Sequence, residues 1–468
     1  MVFPVSSKNR MDNMQNIQIF PGKSCILEVV KQIFSFRKLI KAFDNIIKPC
    51  YTGIGTICPA GYGAKKRKGI PMNYQFSDRI ASVKPSAIRE ILKIVAANPS
   101  IISLSTGSPS NEAIPVEQIH EISENIFKNR ALESLQYSVT EGYRPLRETT
   151  KKRLKEEFGI GRDFDDVIIT TGGQQGLSMT PQVLVNPGDT VIVESPSFVS
   201  GIIAMKSAGA HVVGIEMDDE GIMMDKLEDA IRTEKNVKLL YLIPTFQNPR
   251  GTTMSLQRRK DVYELCKKNG IMILEDNPYG ELRFRGEEVP TIKSMDDEGI
   301  VVYNGSYSKV LSAGMRIGFI CAPQPVMQKL IIAKQGGDCH TNIFFQMVCD
   351  EFFNKYDVPA HIQKIRGIYR DKCDFMLSCL DRYVDKRITY TRPDGGLFLW
   401  CSLPEGYDSL DFANLAANKG VAFVPGCSFM VNDSDPCPAF RLNYSTPSTQ
   451  NIEKGIQILA ESVNEYLK

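Results

Sequence analysis

The amino-acid sequence predicts an α/β fold with two parts: a large domain whose mostly parallel sheet is covered by helices on both faces, and a smaller α+β domain. Three features indicate this architecture. Short, continuously apolar segments alternate with helical segments through residues 167–274. Polar residues follow most of these apolar segments directly, as expected where ligands bind at the carboxyl ends of parallel strands. After Pro325 the pattern changes to longer helical segments followed by a sheet-like tail.

The composition is typical of a water-soluble globular protein, with 43% hydrophobic and 24% charged residues. A chain of 468 residues is long enough for two or three domains. The formal net charge of +2 gives no reason to expect nucleic acid or another polyanion as a partner. The sequence contains no apolar run of about 18 residues or more, so no membrane-spanning helix is expected.

Cysteine and histidine usage bears on compartment and metal binding. The 12 cysteines form no C-x-x-C pair and the 4 histidines are dispersed, so no metal site is predicted. A large chain with unpatterned cysteines fits a reducing environment, and the cytoplasm is therefore the expected location.

The first 71 residues differ from the rest in charge: they hold 12 lysines and arginines against 3 acids, or +9, and the remainder carries −7. We interpret residues 1–71 as a basic extension that is disordered or lies upstream of a natural start at Met72. Targeting and partner binding are the alternatives, and positions 26–47 can form an amphipathic helix. The other predicted boundaries are a segment 72–112 that joins the small domain, a large cofactor-binding domain 113–325 and a small domain 326–468.

Before the alternating region, hydrophobic periodicity predicts helices at Ser82–Ala97, Val116–Ala131 and Leu146–Phe158, and one short strand at Ile101–Leu104. The alternating region predicts strands at 167–170, 191–193, 211–215, 239–243 and 271–274. Helices are predicted up to Leu184 and at 201–208, 225–233 and 256–268. The remaining predicted elements are strands at 300–303 and 317–320, helices at 326–336, 343–355 and 362–383, and sheet-like segments at 395–400, 421–425 and 440–444.

The polar loop between the strands at 300–303 and 317–320 carries Ser306, Ser308, Lys309 and Arg316. Hydroxyls and an arginine suit a phosphate dianion, and a desolvated lysine has a depressed pKa and can form a Schiff base. A phosphate and an aldehyde on one ligand indicate pyridoxal 5'-phosphate (PLP). A surface loop with an ordinary lysine is the alternative for this loop taken alone.

The other strand ends supply complementary groups. Gly173 and Gln174 lie at a predicted helix N-terminus, where free N–H groups favour a phosphate, although a plain tight turn is also common there. Phe198 offers a face for stacking on a planar ring, or belongs to the core. Asn248 presents an amide on a stiff turn. Asp276 would be costly at the mouth of a buried sheet unless a cation such as a protonated pyridine nitrogen pairs with it, and Tyr279 follows closely enough to bond the ring's phenolic oxygen.

From about residue 75 to its end, the chain resembles the class I/II, fold-type I PLP-dependent aminotransferases, and among them the 2-aminoadipate/kynurenine and aromatic or branched-chain branch. The motifs that carry the resemblance keep the family order and spacing. They are Gly107-Ser108-Pro109, Gln136-Tyr137, Gly173-Gln174-Gln175-Gly176, Asn248-Pro249-x-Gly251, Glu275-Asp276-Asn277-Pro278-Tyr279, Ser306-Tyr307-Ser308-Lys309 with Arg316-Ile317-Gly318, Gly395-Gly396-Leu397-Phe398 and Phe440-Arg441-Leu442.

The resemblance implies a role for each matching residue. Lys309 would form the Schiff base with PLP and move the proton between the substrate Cα and the cofactor. Asp276 would pair with the pyridine nitrogen, and Tyr279 and Asn248 would bond the ring oxygen. The residues implied to stack on the ring or hold the phosphate are Phe198, Gly173, Gln174, Ser306, Ser308 and Arg316. Those implied on the substrate side are Gly107, Asn248, Arg441, which would bind the α-carboxylate, and Tyr137, which would reach the site of the neighbouring subunit in a homodimer.

Two positions depart from the family pattern. Phe198 stands where close relatives usually have Tyr, so that stacking is kept and a hydroxyl contact is lost. Arg250 replaces the Thr of Asn-Pro-Thr-Gly, and we interpret it as a solvated side chain; added positive charge near the entrance is the alternative.

The resulting hypothesis is a PLP-dependent aminotransferase that moves the amino group of an L-amino acid to a 2-oxo acid, with 2-oxoglutarate as the expected acceptor, by a ping-pong mechanism. Aromatic, branched-chain and 2-aminoadipate side chains all remain open. The alternatives are a PLP-dependent lyase or decarboxylase on the same fold, and a transcriptional regulator with an aminotransferase-like domain.

Overall fold

A computed structural model describes residues 74–81, 98, 100–432 and 434–468. The predicted helices at Ser82–Ala97 and 26–47, and the extension 1–71, lie outside the described residues. Among the residues that are described, no helix is both long and apolar enough to cross a membrane.

The strands are β1 (Ile102–Ser103), β2 (Asp165–Thr170), β3 (Thr190–Ser195), β4 (His211–Asp218), β5 (Gly221–Ile222), β6 (Val237–Leu242), β7 (Met272–Asp276), β8 (Val301–Ser306), β9 (Gly318–Pro323), β10 (Thr389–Tyr390), β11 (Phe398–Ser402), β12 (Val421–Ala422), β13 (Val424–Pro425) and β14 (Ala439–Asn443). The α-helices are α1 (Asp78–Ala81), α2 (Val116–Leu135), α3 (Arg144–Phe158), α4 (Gly173–Leu184), α5 (Val199–Ser207), α6 (Met224–Thr233), α7 (Leu256–Asn269), α8 (Gln324–Gly337), α9 (Ile343–Lys355), α10 (Val358–Tyr383), α11 (Ser409–Lys419) and α12 (Thr449–Tyr466).

The large sheet has eight strands in the order β2-β9-β8-β7-β6-β3-β4-β5. Strands β8, β7, β6, β3 and β4 run parallel to one another, whereas β9 is antiparallel to both β8 and β2. Strand β2 therefore points the same way as β8. The prediction of a mostly parallel sheet is confirmed. Residues 307–317, between β8 and β9, form no helix, whereas a parallel neighbour is usually reached through a crossover helix.

Helices cover both faces of this sheet, as predicted. In β3, Val191 and Val193 belong to one buried cluster, whereas Ile192 between them belongs to a second cluster. Successive strand side chains point to opposite faces. Both faces of the sheet are therefore packed, which is why its strands are apolar without interruption.

Helix bounds differ from the predictions mainly at their N-termini. Helix α10 begins at Val358, four residues before the predicted start, because Asp357 caps it by accepting a hydrogen bond from the Ala360 amide and Pro359 suits the first turn. Helix α2 continues past Ala131 to Leu135. Helix α9 spans Ile343–Lys355 as predicted.

The smaller sheet is antiparallel and has the order β10-β11-β14-β13. Its central pair aligns Trp400 with Arg441. Strand β1 pairs in parallel with β12, so residues 102–103 join the C-terminal part of the chain. The exact domain boundaries stay predictions, but the pairing brings the N-terminal segment beside β14, and this juxtaposition builds one side of the site.

Candidate active site

The candidate residues follow strands of the large sheet that point the same way. Strands β2, β3, β6, β7 and β8 share one direction, so their carboxyl ends meet at one edge. The loops after them carry Gly173, Phe198, Asn248, Tyr279 and Lys309. We call this the carboxyl edge of the sheet.

Lys309 follows β8 at this edge, and its Nζ donates a hydrogen bond to the Gly107 carbonyl oxygen at 2.6 Å. Burial, together with the nearby positive charges of Arg441 and Arg316, lowers its pKa to about 8. No carboxylate of the described residues is bonded to the ammonium group. A substantial fraction of neutral amine is therefore present near neutral pH, as a lysine nucleophile requires.

Asp276 ends β7 and is only 4% exposed. Its carboxylate accepts hydrogen bonds from Asn304 Nδ2 at 2.8 Å and from the Tyr241 hydroxyl at 3.1 Å. Burial raises the pKa of Asp276 to about 7, and these two neutral donors only partly oppose that shift. Among the described residues the carboxylate has no cationic partner, so it is poised to receive one from a ligand.

Arg441 lies in the middle of β14 and is 4% exposed. Its Nη1 donates to Asn248 Oδ1 at 2.8 Å and its Nη2 to the Ser105 carbonyl at 2.7 Å. The guanidinium lies 4.1 Å from the ring centroid of Phe398 and 5.0 Å from that of Phe429. Its Nε is buried without a hydrogen-bond partner in the described part of the chain.

Burial lowers the pKa of Arg441 to about 10. A buried arginine that bonds only neutral acceptors and lies between two aromatic rings is a site for an external carboxylate.

Tyr279 connects these groups. Its hydroxyl is hydrogen-bonded to Asn248, and its ring lies edge-on to Phe398 with centroids 5.8 Å apart. Burial raises the pKa of Tyr279, so the phenol stays protonated and can donate a hydrogen bond. Tyr279, Asn248 and Arg441 thus form one bonded group, which the sequence analysis assigned to ring oxygen and substrate carboxylate.

The predicted phosphate residues come from two neighbouring turns. Gly172 has a φ of 72°, and a Cβ atom there would clash with the guanidinium of Arg316. Helix α4 begins at Gly173, and the free amides of its first turn therefore lie on the same side as the Arg316 guanidinium. Ser306 Oγ lies 3.0 Å from Ser308 Oγ and accepts from the Ser308 amide. The turn after β2 and the loop after β8 are therefore brought together, with one cation and two hydroxyls.

Three further predicted site residues make contacts with residues other than Lys309. Gln174 donates from Nε2 to the Ser200 carbonyl at 3.3 Å. Phe198 directly precedes α5, is half-buried and packs against the main core. Tyr137 is 85% exposed, and its ring lies edge-on to His340 with centroids 5.8 Å apart. The position of Tyr137 on the surface is compatible with the expectation that it serves a neighbouring subunit.

Sequence reasoning missed the two partners of Asp276. Asn304 is fully buried, and its Nδ2 bonds both Asp276 and the Gly173 carbonyl, at 2.8 and 3.1 Å. Tyr241 is also fully buried. An asparagine that directly continues the apolar run Val301–Tyr303 was a visible signal, since a buried amide needs polar partners. No comparable signal distinguishes Tyr241 from an ordinary core residue.

The expectation of a solvated Arg250 is wrong. The guanidinium donates from Nη1 to the Met217 carbonyl at 3.0 Å and from Nη2 to Asp219 at 3.2 Å, and the side chain is only 17% exposed. The residue therefore fastens its turn to the end of β4, and its charge is offset by Asp219.

The residues present fit PLP. The carboxyl edge supplies Lys309, Arg316 and the buried carboxylate of Asp276, and β14 supplies a third cation, Arg441, whose charge acts on Lys309. A phosphate dianion and a substrate carboxylate would balance the cations, and a protonated ring nitrogen would balance Asp276. The Nε of Arg441, which has no partner in the described part of the chain, is a further hydrogen-bond donor for such a ligand.

Comparisons with known proteins show which proteins the chain resembles. The chain is 40% identical over 397 residues to aromatic-amino-acid aminotransferase 1 of Thermococcus litoralis, covering 84% of this chain and 95% of that one. It is 35% identical over 403 residues to the 2-aminoadipate transaminase of Thermus thermophilus, covering 86% and 99%. A crystal structure of Pyrococcus horikoshii kynurenine aminotransferase with PMP superposes with a TM-score of 0.81 at 38% identity, covering 84% and 98%.

The family model for aminotransferase class I and II matches residues 99–459. That range contains each of the candidate residues from Gly107 to Arg441. The chain therefore belongs to the class I and II aminotransferases, which are PLP-dependent enzymes.

Proposed function

We propose that this aminotransferase takes the amino group from an L-amino acid with an aromatic, branched-chain or 2-aminoadipate side chain and passes it to 2-oxoglutarate. The observation that carries the proposal is the pair formed by Arg441 and Lys309. A buried guanidinium with no carboxylate partner in the described chain adjoins a lysine whose pKa is lowered to about 8. The names of the similar proteins support the substrate class.

Arg441 binds the α-carboxylate of the substrate and thereby fixes the direction of the Cα–H bond. Asn248 and the Ser105 carbonyl already orient the guanidinium, so little side-chain freedom is lost when the carboxylate binds. Gly107 lines the substrate side, where its carbonyl oxygen is 2.6 Å from Lys309 Nζ.

Lys309 is the catalytic base. As a neutral amine it takes the proton from the substrate Cα and returns it to the cofactor carbon that is bonded to the substrate nitrogen. The bound cofactor supplies the electron sink that makes this Cα–H bond acidic. Lys309 is suited to the task because its pKa, about 8, lies near neutral pH.

The remaining residues orient the ring. Asp276 pairs with the ring nitrogen, and the resulting charge pair offsets the desolvation that raises the Asp276 pKa to about 7. Tyr279 and Asn248 bond the ring oxygen, and Phe198 stacks on the ring. The proposed phosphate ligands are Gly173, Gln174, Ser306, Ser308 and Arg316.

We also propose a cytoplasmic homodimer with shared sites. Apolar side chains on α2 and the segment after it are largely exposed in the single chain, at 85% for Leu132, 70% for Leu135 and 58% for Val139. Tyr137 lies among them. Contiguous exposed apolar residues favour an interface, and sedimentation should give the mass of two chains, reduced to one by Leu135→Glu.

The decisive experiment is the absorption spectrum of the holoenzyme during addition of single L-amino acids without any oxo acid. An amino-donating substrate should convert the lysine-bound cofactor to pyridoxamine phosphate, and subsequent 2-oxoglutarate should restore the first spectrum. The D-enantiomers serve as controls. Release of ammonia or carbon dioxide without pyridoxamine phosphate would favour a lyase or decarboxylase. No response to any amino acid, combined with DNA binding in a shift assay, would favour a regulator.

A further inference from the structure

Lys334 is a fully buried lysine on α8 that none of the proposed catalytic steps uses. Its Nζ donates to Gln175 Oε1 at 2.8 Å, to Asp338 at 2.8 and 3.0 Å, and to Thr341 Oγ1 at 2.9 Å. All of its donor capacity is thus directed to three side chains. An ammonium group with such a set of bonds fixes the positions of its acceptors.

All three of these acceptors also contact Thr171, the residue that precedes the phosphate turn, and Thr341 Oγ1 lies 3.1 Å from the Thr171 hydroxyl oxygen. Gln175 Oε1 also accepts the Thr171 amide at 2.8 Å, and Asp338 Oδ2 accepts the Thr171 hydroxyl at 2.7 Å. Both donors of Thr171 therefore end on oxygens that Lys334 also binds. Lys334 is linked to the backbone and to the side chain of one residue of the turn.

The charge of Lys334 is balanced locally. Asp338 is one helical turn away on the same side, and burial lowers the pKa of Lys334 although Asp338 opposes the shift. A lone cation at the N-terminus of α4 would be unfavourable, because the helix dipole is positive there. The Lys334–Asp338 pair thus orders the turn without presenting a net charge of its own to the phosphate.

We propose that Lys334 is a positioning residue for the cofactor phosphate: through Gln175, Asp338 and Thr171 it holds the turn at Gly172 and Gly173 so that the first amides of α4 and Arg316 converge on the phosphate. The inference rests on the proposed phosphate site. Lys334 itself touches neither cofactor nor substrate.

The chain offers a matched control in Lys293, which is also buried and bonded to carboxylates, Asp165 at 2.7 Å and Asp296 at 2.9 Å. Asp165 begins β2, whereas Thr171 follows the end of the same strand. Six residue steps along the strand separate them by about 20 Å. Replacement of either lysine by Met removes a buried ammonium, but only Lys334 adjoins the phosphate turn.

The experiment measures the dissociation constants of PLP and of pyridoxal, which lacks the phosphate, by titration of the apoenzyme. Lys334→Met and Thr171→Val should each weaken PLP binding about tenfold and leave pyridoxal binding unchanged, since only phosphate contacts are misaligned. The double variant should lose much less than the product of the two single effects, because both act through one network. Lys293→Met should reduce stability but keep the PLP-to-pyridoxal preference.

Equal loss of PLP and pyridoxal affinity in Lys334→Met, or an unchanged PLP constant, would overturn the inference. If Lys334→Met does not fold, Thr171→Val decides, because it removes only one hydroxyl and keeps the shape of the side chain. Arg316→Ala separates the two levels of the argument. If it does not reduce the PLP preference, the proposed phosphate site is wrong. If it does and the Lys334 and Thr171 variants do not, only the positioning role is wrong.

Discussion

Buried ionisable groups have opposite pKa shifts at the two edges of the large sheet. At the carboxyl edge, burial moves Lys309 and Asp276 toward their neutral forms, with pKa values of about 8 and about 7. At the opposite edge, burial also opposes ionisation of Lys293 and Asp296, but their mutual attraction wins: the pKa of Lys293 is raised and that of Asp296 is lowered.

Partners explain this difference, since the two carboxylates are buried alike, with Asp276 4% and Asp296 0% exposed. Lys293 bonds two carboxylates, and Asp296 also accepts the amides of Gly299, Ile300 and Val301. Asp276 receives only neutral donors, and Lys309 donates to a carbonyl. At the opposite edge, the protein's own groups pair with these charges. At the carboxyl edge, Asp276 and Lys309 lack an oppositely charged partner, and a ligand must supply it. Buried ionisable groups without an oppositely charged partner, more than burial alone, therefore distinguish the active edge.

The largest expected effect follows from Lys309→Ala. Loss of the catalytic base and of the covalent attachment should reduce kcat/KM for an L-amino acid by about 10³-fold or more. Because the lysine has no carboxylate partner, the variant should unfold at the same temperature as the wild-type apoenzyme or higher. Steady-state kinetics and thermal unfolding of the apoenzyme measure the two quantities. A strongly destabilised variant would mean that Lys309 has a charge partner after all.

Lys293→Met should give the reverse result. It leaves Asp165 and Asp296 buried without their cation, and this should cost about 3–5 kcal/mol of unfolding free energy. Urea unfolding measures the loss, and kcat/KM of the folded variant should stay within about twofold of wild type. Lys267→Met is the control: its pair with Glu298 is exposed and screened by solvent, so its loss should change the stability little. Equal stability of the two variants would remove the contrast between the edges.

Much of the carboxyl edge could be predicted from the sequence, because loop residues that follow parallel strands must meet there. Lys309, Asp276 and Asn248 needed only strand assignment and the rule for ligand position. The partners of Asp276 could not be obtained in the same way. Tyr241 and Asn304 lie within strands, and whether a strand side chain faces the site or the core depends on sheet order. Tyr241 lies on β6 and Asn304 on β8, the two strands that flank β7, and the apolar pattern does not specify this order.

Arg250 shows a second limit. A single arginine on a turn gives no indication of its acceptors, which here are the Met217 carbonyl and Asp219, more than thirty positions earlier in the chain. The network of Lys334 was also invisible in the sequence, since its members at 171, 175, 334, 338 and 341 come from two helices and two turns. Such networks depend on tertiary packing and carry no local signature.

Arg441→Lys tests whether an unpaired cation at the carboxyl edge is reserved for a carboxylate. Lysine keeps the charge but loses the planar fork and its contacts with Asn248 and Ser105. The expected loss in kcat/KM is about 2 kcal/mol of transition-state stabilisation or more. It should affect amino acids and 2-oxoglutarate alike, because both present a carboxylate at the same position. Arg392→Lys, at an exposed pair with Asp381, should change neither substrate's kinetics.

The lowered pKa of Lys309 predicts a pH dependence. The neutral amine is the reactive form, so the rate at which the apoenzyme recombines with PLP should fall as pH decreases through about 8, approaching tenfold per unit below it. Stopped-flow absorbance between pH 6 and pH 10 measures this profile, after correction for the titration of free PLP. A midpoint near the ordinary lysine value of about 10.5 would show that the carboxyl edge does not favour the neutral amine.

The smallest effect is expected at Phe198, an uncharged residue of the same edge. Phe198→Tyr keeps the aromatic face and should change PLP affinity and kcat/KM by less than about threefold, whereas Phe198→Ala loses ring stacking and should weaken PLP binding about tenfold. Apoenzyme titration and steady-state kinetics measure both variants. If unpaired charges determine PLP affinity and kcat/KM at the carboxyl edge, the added hydroxyl should change both only slightly. A large change on Phe198→Tyr, comparable with that of Arg441→Lys, would contradict this, because it would make the fit around the ring as decisive as the charges.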